Sequence, residues 1–212
     1  MNITIFGATG ATGRLLTERC LTAGHKVKIL ARDPRSFSLN GYVDTVTGDA
    51  KDANAIRQAL RGSELVLSAL GARSLKREDV LEVAVPLIVA GMQAQGIRRI
   101  IALGSSGALD SALDKQPGYR RWLVENILYK TLLKWPVASQ RAQYAALAAS
   151  TLDWTMVMPP MLTNERARGT YRVDGEALPP NGSRIARADV ADFMMAQIGN
   201  PTWVKKAVYL AW

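Results

Sequence analysis

The segment NITIFGATGATGR, residues 2–14, joins a short apolar run to a turn that carries three glycines. The run Asn2–Phe6 is short and largely apolar, which predicts a buried strand of a parallel sheet. The spacing Gly7-x-x-Gly10-x-x-Gly13 follows at once, and the residues after it have the apolar spacing of a helix. A glycine triplet between a strand and a helix is the setting in which such a loop binds phosphate groups.

Each glycine of this loop has a physical role. Gly7 permits a sharp turn off the strand, Gly10 lets the backbone approach a pyrophosphate, and Gly13 lets the helix pack closely on the sheet. The free N–H groups and the helix dipole favour anions at this helix start. We therefore predict a dinucleotide-binding loop, and an ordinary structural turn is the less favoured alternative. The residues of the predicted loop are Gly7, Thr9, Gly10, Ala11, Thr12, Gly13 and Arg14.

Apolar runs and helical patterns alternate along the rest of the chain, which predicts βαβ units and a parallel sheet. Further strands are predicted at residues 27–31, 42–47, 65–69, 99–103 and 153–158. Helices are predicted at 14–23, 52–60, 76–95, 119–134, 138–149 and 187–198, with Trp135-Pro136 separating the fourth from the fifth. We expect a loop with short strands at 163–184 and an edge strand at 208–211. The expected fold is one α/β domain, residues 1–212, with a doubly wound parallel sheet of the Rossmann type and a small substrate-side region at about 159–212.

Composition and charge favour a small anionic partner. The 212 residues are 48% hydrophobic and 21% charged, which is ordinary for a globular domain. The excess of 27 Lys and Arg over 18 Asp and Glu gives a net charge of +9, which attracts dinucleotides, flavin phosphates or carboxylates. The basic residues are scattered without a long run, so a nucleic-acid partner is not expected. We expect an anionic or flat aromatic small molecule as partner, and a monomer or weak homodimer.

The sequence predicts a cytoplasmic protein. No apolar run approaches the ~20 residues of a membrane-spanning helix, and a membrane partner is therefore not expected. The first residues lack the basic flank of a secretory signal. The single cysteine, Cys20, can form no internal disulfide, which fits a reducing compartment and a small packing residue.

The end of the second predicted strand decides between the two nicotinamide dinucleotides. Sites that bind NAD usually carry an acidic residue there, which holds the ribose hydroxyls. Here the position holds Arg32, whose guanidinium matches a 2′-phosphate, and Arg14 can close on that phosphate from the other side. The nearest acid, Asp33, precedes Pro34 and is expected to turn away. We predict NADP(H) as cofactor; a solvated charge at the strand end is the alternative role of Arg32.

Further cofactor contacts are predicted where other strands end, because ligands bind at the carboxyl edge of open α/β sheets. Asp49 follows the third strand and can accept a hydrogen bond from an adenine amino group; capping the next helix is its alternative role. The small residues after the third and fourth strands would border the cofactor. These are Ala50, Ala69, Leu70 and Gly71.

The sequence lacks the Tyr-x-x-x-Lys pair with which typical short-chain dehydrogenases move a proton. Tyr129 and Lys134 come nearest, but they are five positions apart, and Tyr129 is expected to be a packing residue. The only histidine, His25, lies before the second strand, at the edge opposite the predicted site. No metal site is predicted, because no Cys, His, Asp and Glu cluster has ligand spacing. Hydride transfer to a conjugated acceptor remains possible, since solvent can supply the proton and the cofactor carries the reaction.

The segments GATGATGR, ARDP, GDAKD, IIALGSSGAL and WTMVMPPML together resemble the atypical short-chain dehydrogenase/reductases. The similarity extends over nearly the whole chain and is strongest to the biliverdin-IXβ reductase/flavin reductase group and its NmrA-like NAD(P)-binding relatives. It implies a doubly wound fold, NADPH as hydride donor, and flavins or linear tetrapyrroles as acceptors.

The resemblance also implies roles for residues near the nicotinamide. Ser105 matches the serine after the fifth strand and is the predicted catalytic and nicotinamide-side residue. The segment Met158, Pro159 and Pro160 matches the lining of the nicotinamide end. Predicted substrate contacts are Arg73, Ser106 and Met161. Stacking of a flat acceptor also needs an apolar platform and cationic anchors, for which Trp122, Arg120 and Arg121 are candidates; packing in a helix core and a solvated face are their alternative roles. The reductase group has a histidine where this chain has Met161, so bilin specificity is not expected.

Two functions therefore stay open. The first is an NADPH-dependent reductase of a flavin or similar flat conjugated acceptor. The second is a regulatory protein that binds NADP(H), senses redox state and does no chemistry. Nucleotide-sugar epimerases and dehydratases are disfavoured, because they need a tyrosine base.

Overall fold

A computed structural model describes residues 1–37, 43–72 and 74–212. The strands are β1 (Asn2–Phe6), β2 (Lys26–Ala31), β3 (Val43–Thr47), β4 (Leu65–Ser68), β5 (Arg99–Leu103), β6 (Asp153–Met158), β7 (Met161–Thr163), β8 (Arg172–Asp174), β9 (Arg184–Ala186) and β10 (Lys206–Ala211). Within these ranges the main sheet has the order β3-β2-β1-β4-β5-β6-β10-β8, and β7 pairs with β9 in a small second sheet. Every pairing of the main sheet is parallel except that of β10 with β8. The predicted doubly wound, mostly parallel fold is confirmed.

Helices cover both faces of this sheet. The α-helices are α1 (Ala11–Thr22), α2 (Ala53–Leu60), α3 (Val80–Ala94), α4 (Gly118–Leu123), α5 (Lys134–Ala148) and α6 (Arg187–Ala196). Helices α1 and α6 pack on one face, and α2, α3 and α5 pack on the other. No helix formed by the described residues is long and apolar enough to cross a bilayer.

The core explains why the strands are apolar throughout. Ile5 of β1 packs in the layer with α1, whereas its neighbour Phe6 packs in the layer with α2 and α3, and both are fully buried. Side chains alternate between the two faces of a strand, and here both faces are covered by helices. A near-continuous apolar run such as LVLS in β4 follows from this double burial.

The last strand differs from its prediction. The sequence predicted an edge strand at 208–211, but β10 lies inside the sheet, parallel to β6 and antiparallel to β8. Five of its six residues are buried, which is the pattern of an interior strand. The edge is β8, which lies in the segment predicted as a loop with short strands. Two strands of the region after residue 159, β8 and β10, thus extend the main sheet.

The helical segment before β6 is also divided differently. α4 is short and continues as a π-helix at Val124–Leu128, and α5 begins at Lys134. Trp135 and Pro136 therefore lie in the first turn of α5 rather than between two helices. Proline is tolerated there, since first-turn N–H groups have no intrahelical acceptor.

The reactivity of the Cys20 thiol reports how closely α1 packs against α6. Its side chain is fully buried with its sulfur 3.5 Å from the Met195 sulfur, and burial raises the pKa of the thiol to about 12. We expect the folded protein to leave Cys20 unmodified by a thiol reagent such as Ellman's reagent at about pH 8, because the thiolate is the reactive form. Unfolding in guanidinium should expose one thiol. Rapid labelling of the folded protein would contradict this packing.

Candidate functional site

A cleft of about 1000 Å³ runs along the carboxyl ends of β1, β2 and β4, the edge at which open α/β sheets bind ligands. The predicted cofactor residues that line it are Gly7, Thr9, Gly10, Arg14, Arg32, Asp49, Ala50, Ala69, Leu70 and Gly71. Ala11, Thr12 and Gly13 form the first turn of α1. The structure therefore brings these residues, which are far apart in sequence, to one edge of the sheet.

The close contact between β1 and α1 depends on glycines. Gly7 has a φ of +76°, and a Cβ there would lie 2.6 Å from the carbonyl carbon of Ala69. A Cβ at Gly13 would overlap the Gly7 carbonyl oxygen. At Gly10 the nearest atom to a Cβ, the same oxygen, would be 3.4 Å away, so the space beside Gly10 is open. Because the first N–H groups of α1 have no intrahelical acceptor, this space is suited to an anion.

Arginines line the cleft beside the end of β2. Arg32 is exposed directly after the strand, and no partner for its side chain is found in residues 1–37, 43–72 and 74–212. Arg14 is held beside the loop, where its Nε donates a hydrogen bond to the Thr9 carbonyl oxygen at 3.2 Å. The carboxylate of Asp33 accepts hydrogen bonds from the backbone N–H and Nε of Arg35, both at 3.0 Å, and these lower the pKa of Asp33. The carboxylate of Asp33, the acid nearest to Arg32, is thus bound by its neighbour Arg35.

Asp49 lies in the wall of the cleft after β3. Its Oδ1 accepts a hydrogen bond from the Lys51 backbone N–H at 2.9 Å, which closes a local turn. The alternative prediction that Asp49 caps α2 is wrong, since the Asp52 carboxylate accepts the bond from the Asn54 N–H at 2.8 Å. Asp49 therefore remains available to the cleft through its second oxygen.

A second cavity, of about 640 Å³, adjoins the cleft, and residues 69–72 line both. Five predicted site residues that follow β5 and β6 line this cavity: Ser105, Ser106, Pro159, Pro160 and Met161. The opposite wall comes from the α4 and π-helical segment and from α5, mainly through apolar side chains. A ligand that occupies the cleft can thus extend past residues 69–72 into an apolar space.

Three polar side chains of this second cavity, Arg187, Gln116 and Gln140, were not predicted from the sequence. Arg187 at the start of α6 lines the cavity together with Arg120, a candidate anchor predicted from the sequence. Gln116 and Gln140 also line it, and in the part of the chain that the structure describes their side-chain oxygens are buried without a hydrogen-bond partner. Unpaired buried acceptors are costly, so a ligand that carries N–H donors would stabilise this cavity.

Tyr129 has a place in the cavity that the sequence analysis missed. It packs beside Gly107, as expected of a packing residue, but its hydroxyl also interacts with the Ser106 side chain at the cavity wall. Burial raises the pKa of Tyr129, more than the Ser106 interaction lowers it. The phenol is therefore protonated near neutral pH and can donate a hydrogen bond, whereas a phenolate base is disfavoured. No spacing rule reveals this position, because the π-helical turn sets it.

Several predicted contacts lie elsewhere. Met158 is fully buried in the core and lines neither cavity, so the predicted contact at Met158 is wrong and the cavity wall begins at Pro159. Trp122 is 59% exposed on the outer surface and is not part of an apolar platform in the cavity. Arg121 pairs with acidic side chains, Asp114 at 2.7 Å and Glu125 at 2.9 Å. The predicted substrate contact Arg73 lies outside the described residues. Among the described residues, no cluster of His, Cys, Asp and Glu could hold a metal ion.

The sequence from residue 7 to residue 201 matches the family of NAD(P)H-binding proteins. The chain belongs to this family. The NAD(P)H-binding family is broader than the biliverdin-IXβ reductase/flavin reductase group that the sequence resembles, so the match supports a nicotinamide dinucleotide without naming a reaction or an acceptor.

Individual relatives of this NAD(P)H-binding protein agree with the family match. The (4-alkanoyl-5-oxo-2,5-dihydrofuran-3-yl)methyl phosphate reductase of Streptomyces griseus subsp. griseus is 28% identical over 158 residues, 74% of this chain and 46% of that protein. The matches span between 12% and 46% of the length of the curated relatives. A structure from Burkholderia pseudomallei, of a protein thought to be exported, is 26% identical with a TM-score of 0.82 and covers 100% of both chains. An anaerobillin reductase from Escherichia coli O157:H7 shares the fold at 22% identity, with a TM-score of 0.83 and coverage of 100% of this chain and 97% of that one.

The open space at Gly10 makes a testable prediction. The Cβ of a Gly10→Val side chain would meet the Gly7 carbonyl oxygen at 3.4 Å without overlap, and the side chain would fill the phosphate space, so we expect NADPH binding to fall by roughly a hundredfold or more. The melting temperature of the ligand-free protein should change little. NADPH affinity is measured by calorimetric titration and stability by thermal unfolding.

Gly13→Ala is the matched control. Its Cβ would overlap backbone, so this variant should lose stability by about 2 kcal/mol, in contrast to Gly10→Val. If Gly10→Val binds NADPH normally, the dinucleotide does not lie on this loop.

Proposed function

We propose that this protein is an NADPH-dependent reductase that transfers hydride to a flavin or a similar flat conjugated acceptor. The observation that carries the proposal is the junction at residues 69–72, where a cleft suited to a dinucleotide meets an apolar cavity with unpaired amide oxygens. We also propose a cytoplasmic location, where a free thiol such as Cys20 stays reduced.

The residues of the cleft fit NADPH in chemistry. The open space at Gly10 and the first N–H groups of α1 would hold the pyrophosphate, because a Cβ there would occupy that space. Arg32 and Arg14 would hold the 2′-phosphate, and Ser105 and Pro159 would border the nicotinamide. When bound, NADPH supplies the hydride; the protein supplies orientation and electrostatics.

Arg32 supports a preference for NADPH over NADH. A guanidinium binds a phosphate through charge-assisted hydrogen bonds, and Arg32 has no competing partner among the described residues. A ribose with free hydroxyls would instead need an acid, but the Asp33 carboxylate is engaged by Arg35. Both observations favour NADPH over NADH.

The cavity supports a flat, mostly apolar acceptor. Its walls are largely apolar, which favours burial of a conjugated ring system. Arg120 and Arg187 would attract an anionic substituent. The side-chain oxygens of Gln116 and Gln140 would accept hydrogen bonds from ring N–H groups, which flavins and linear tetrapyrroles both carry. Met161 is 64% exposed at the rim, where the related reductases have histidine, so we propose slow bilin turnover.

The protonation state of Tyr129 distinguishes the proposed reductase from enzymes that abstract a proton from their substrate. Its raised pKa keeps the phenol protonated, so it can orient or protonate an acceptor but is poorly suited to abstract a proton from an alcohol. The same feature is compatible with the second candidate function, an NADP(H)-binding regulatory protein without chemistry. Acceptor turnover distinguishes the two.

Arg32→Ala tests the cofactor preference. Loss of a charge-assisted pair costs about 1.5–3 kcal/mol, so we expect NADPH binding to weaken roughly tenfold to a hundredfold. NADH binding should hardly change. Lys26→Ala, which removes an exposed cation at the opposite edge of the sheet, is the control and should leave both affinities unchanged. Equal affinities of the unsubstituted protein for NADPH and NADH would contradict the proposal.

An acceptor panel tests the reductase. We expect NADPH absorbance to fall when FMN, riboflavin or a quinone-like dye is supplied, and Ser105→Phe should slow this by blocking the nicotinamide side. Gln140→Leu should raise the acceptor KM about threefold to tenfold, because one hydrogen bond is lost, while NADPH affinity stays unchanged. Intact NADPH binding with no turnover above background for any acceptor would overturn the reductase and favour the regulatory function.

A further inference from the structure

The α4 and π-helical segment is apolar on two sides. Its inner side lines the acceptor cavity, and neither α4 nor the π-helix contains a buried residue. Its outer side, continued into the first turn of α5, carries an exposed apolar surface, which we call the outer aromatic face. This face consists of Tyr119, Trp122, Leu123, Ile127, Leu132 and Trp135.

The outer aromatic face concentrates the exposed apolar surface of the molecule. Six of the ten large apolar side chains that are exposed in the described ranges belong to it. Tyr119 is 75% exposed and Trp122 59% exposed. Tyr119, Trp122 and Leu123 recur at helical spacing, which places these three side chains on one side of α4. A contiguous apolar stripe with tryptophan on a monomer indicates an interaction surface.

Cations accompany this face. Residues 115–135 contain five Lys and Arg. Lys115 and Arg121 are paired with acidic side chains, whereas no ion pair of Arg120, Lys130 or Lys134 is found among the described residues. The Lys134 ammonium lies 4.9 Å from the centroid of the Trp135 ring, and the Arg77 guanidinium lies 5.3 Å from it. Lys130, four residues before Lys134, is also exposed. The partner of this face must therefore accept aromatic side chains and carry negative charge.

We propose that the outer aromatic face docks this protein on the surface of a bilayer that contains anionic phospholipids. Tryptophan and tyrosine are stable at the headgroup level, where the ring is buried and the polar atom stays hydrated. Lysines and arginines near the surface are attracted to anionic lipid, and the net charge of +9 adds to this attraction. The sequence predicted no membrane partner because no run can span a bilayer, but surface docking requires only such a face.

A second copy of the chain is a less suitable partner. A two-fold dimer places the same surface patch of both subunits together. On this face that arrangement would enclose Lys130, Lys134 and their two copies in one interface, and like charges would repel. An anionic bilayer has the complementary charge. The inner side of the same segment lines the acceptor cavity, so docking would also bring that cavity close to the bilayer.

Vesicle sedimentation tests the docking independently of catalysis. The full chain is mixed at low salt with unilamellar vesicles of phosphatidylcholine, or of phosphatidylcholine with phosphatidylglycerol. We expect sedimentation with the anionic vesicles only, and release as added salt shortens the Debye length. Lys130→Gln with Lys134→Gln should weaken vesicle binding about fivefold for each lysine. Trp122→Ser with Ile127→Ser should weaken it about tenfold or more, through lost apolar burial.

The controls are Lys26→Gln and Val173→Ser, which remove an exposed cation and an exposed apolar side chain elsewhere on the molecule. Both should bind vesicles like the unsubstituted chain, and circular dichroism should show that all variants are folded. Failure to sediment with anionic vesicles overturns the proposal, as does unchanged binding by the folded Trp122→Ser, Ile127→Ser variant. A dimer in analytical ultracentrifugation that this variant dissociates would assign the face to a second copy and overturn it too.

Discussion

The approach of α1 to the end of β1 is the contact on which the site depends. Gly7 turns the chain with a positive φ, and the absence of a Cβ at Gly13 allows the helix to begin against the Gly7 carbonyl. The same turn sets Gly7 against the backbone of Ala69, so the ends of β1 and β4 meet without an intervening side chain. Helix N–H groups, the small wall of residues 69–72 and the end of β2 therefore face one space. A larger residue at Gly7 or Gly13 would push these parts away from each other.

Two chemically different spaces meet at this contact. The cleft beside β2 has arginines and exposed backbone donors, which suit phosphate groups, whereas the cavity beyond residues 69–72 is apolar with a few polar groups. A nicotinamide dinucleotide has the same division between a charged end and a reactive ring, which is why the family match and the geometry agree. Tyr129 adds a constraint on the chemistry. Its burial keeps the phenol protonated, so proton abstraction of the epimerase type has no suitable base there.

The segment from α4 to the start of α5 is the least anchored wall of the cavity. It has no buried residue in α4 or the π-helix, and π-helical turns are often found at functional sites. Few buried contacts give a segment low local stability, which would suit a wall that admits the flat acceptor that we propose. The apolar outer side of the segment would be stabilised by a partner surface. The acceptor cavity and the docking surface that we propose are thus two sides of one element.

The local sequence determined the strands β1 to β6, the glycine loop and the position of Arg32, because strand periodicity, turn chemistry and strand ends depend on neighbouring residues. It did not determine that β10 lies inside the sheet, since β8 returns from a polar segment to cover its edge. Nor did it place Tyr129, Gln140 and Arg187 in one cavity or bury Met158, because those outcomes depend on a π-helical turn and on packing between distant segments. Residues that act through backbone geometry were therefore predictable from sequence. Residues that act through convergence of distant side chains were decided only by the tertiary structure.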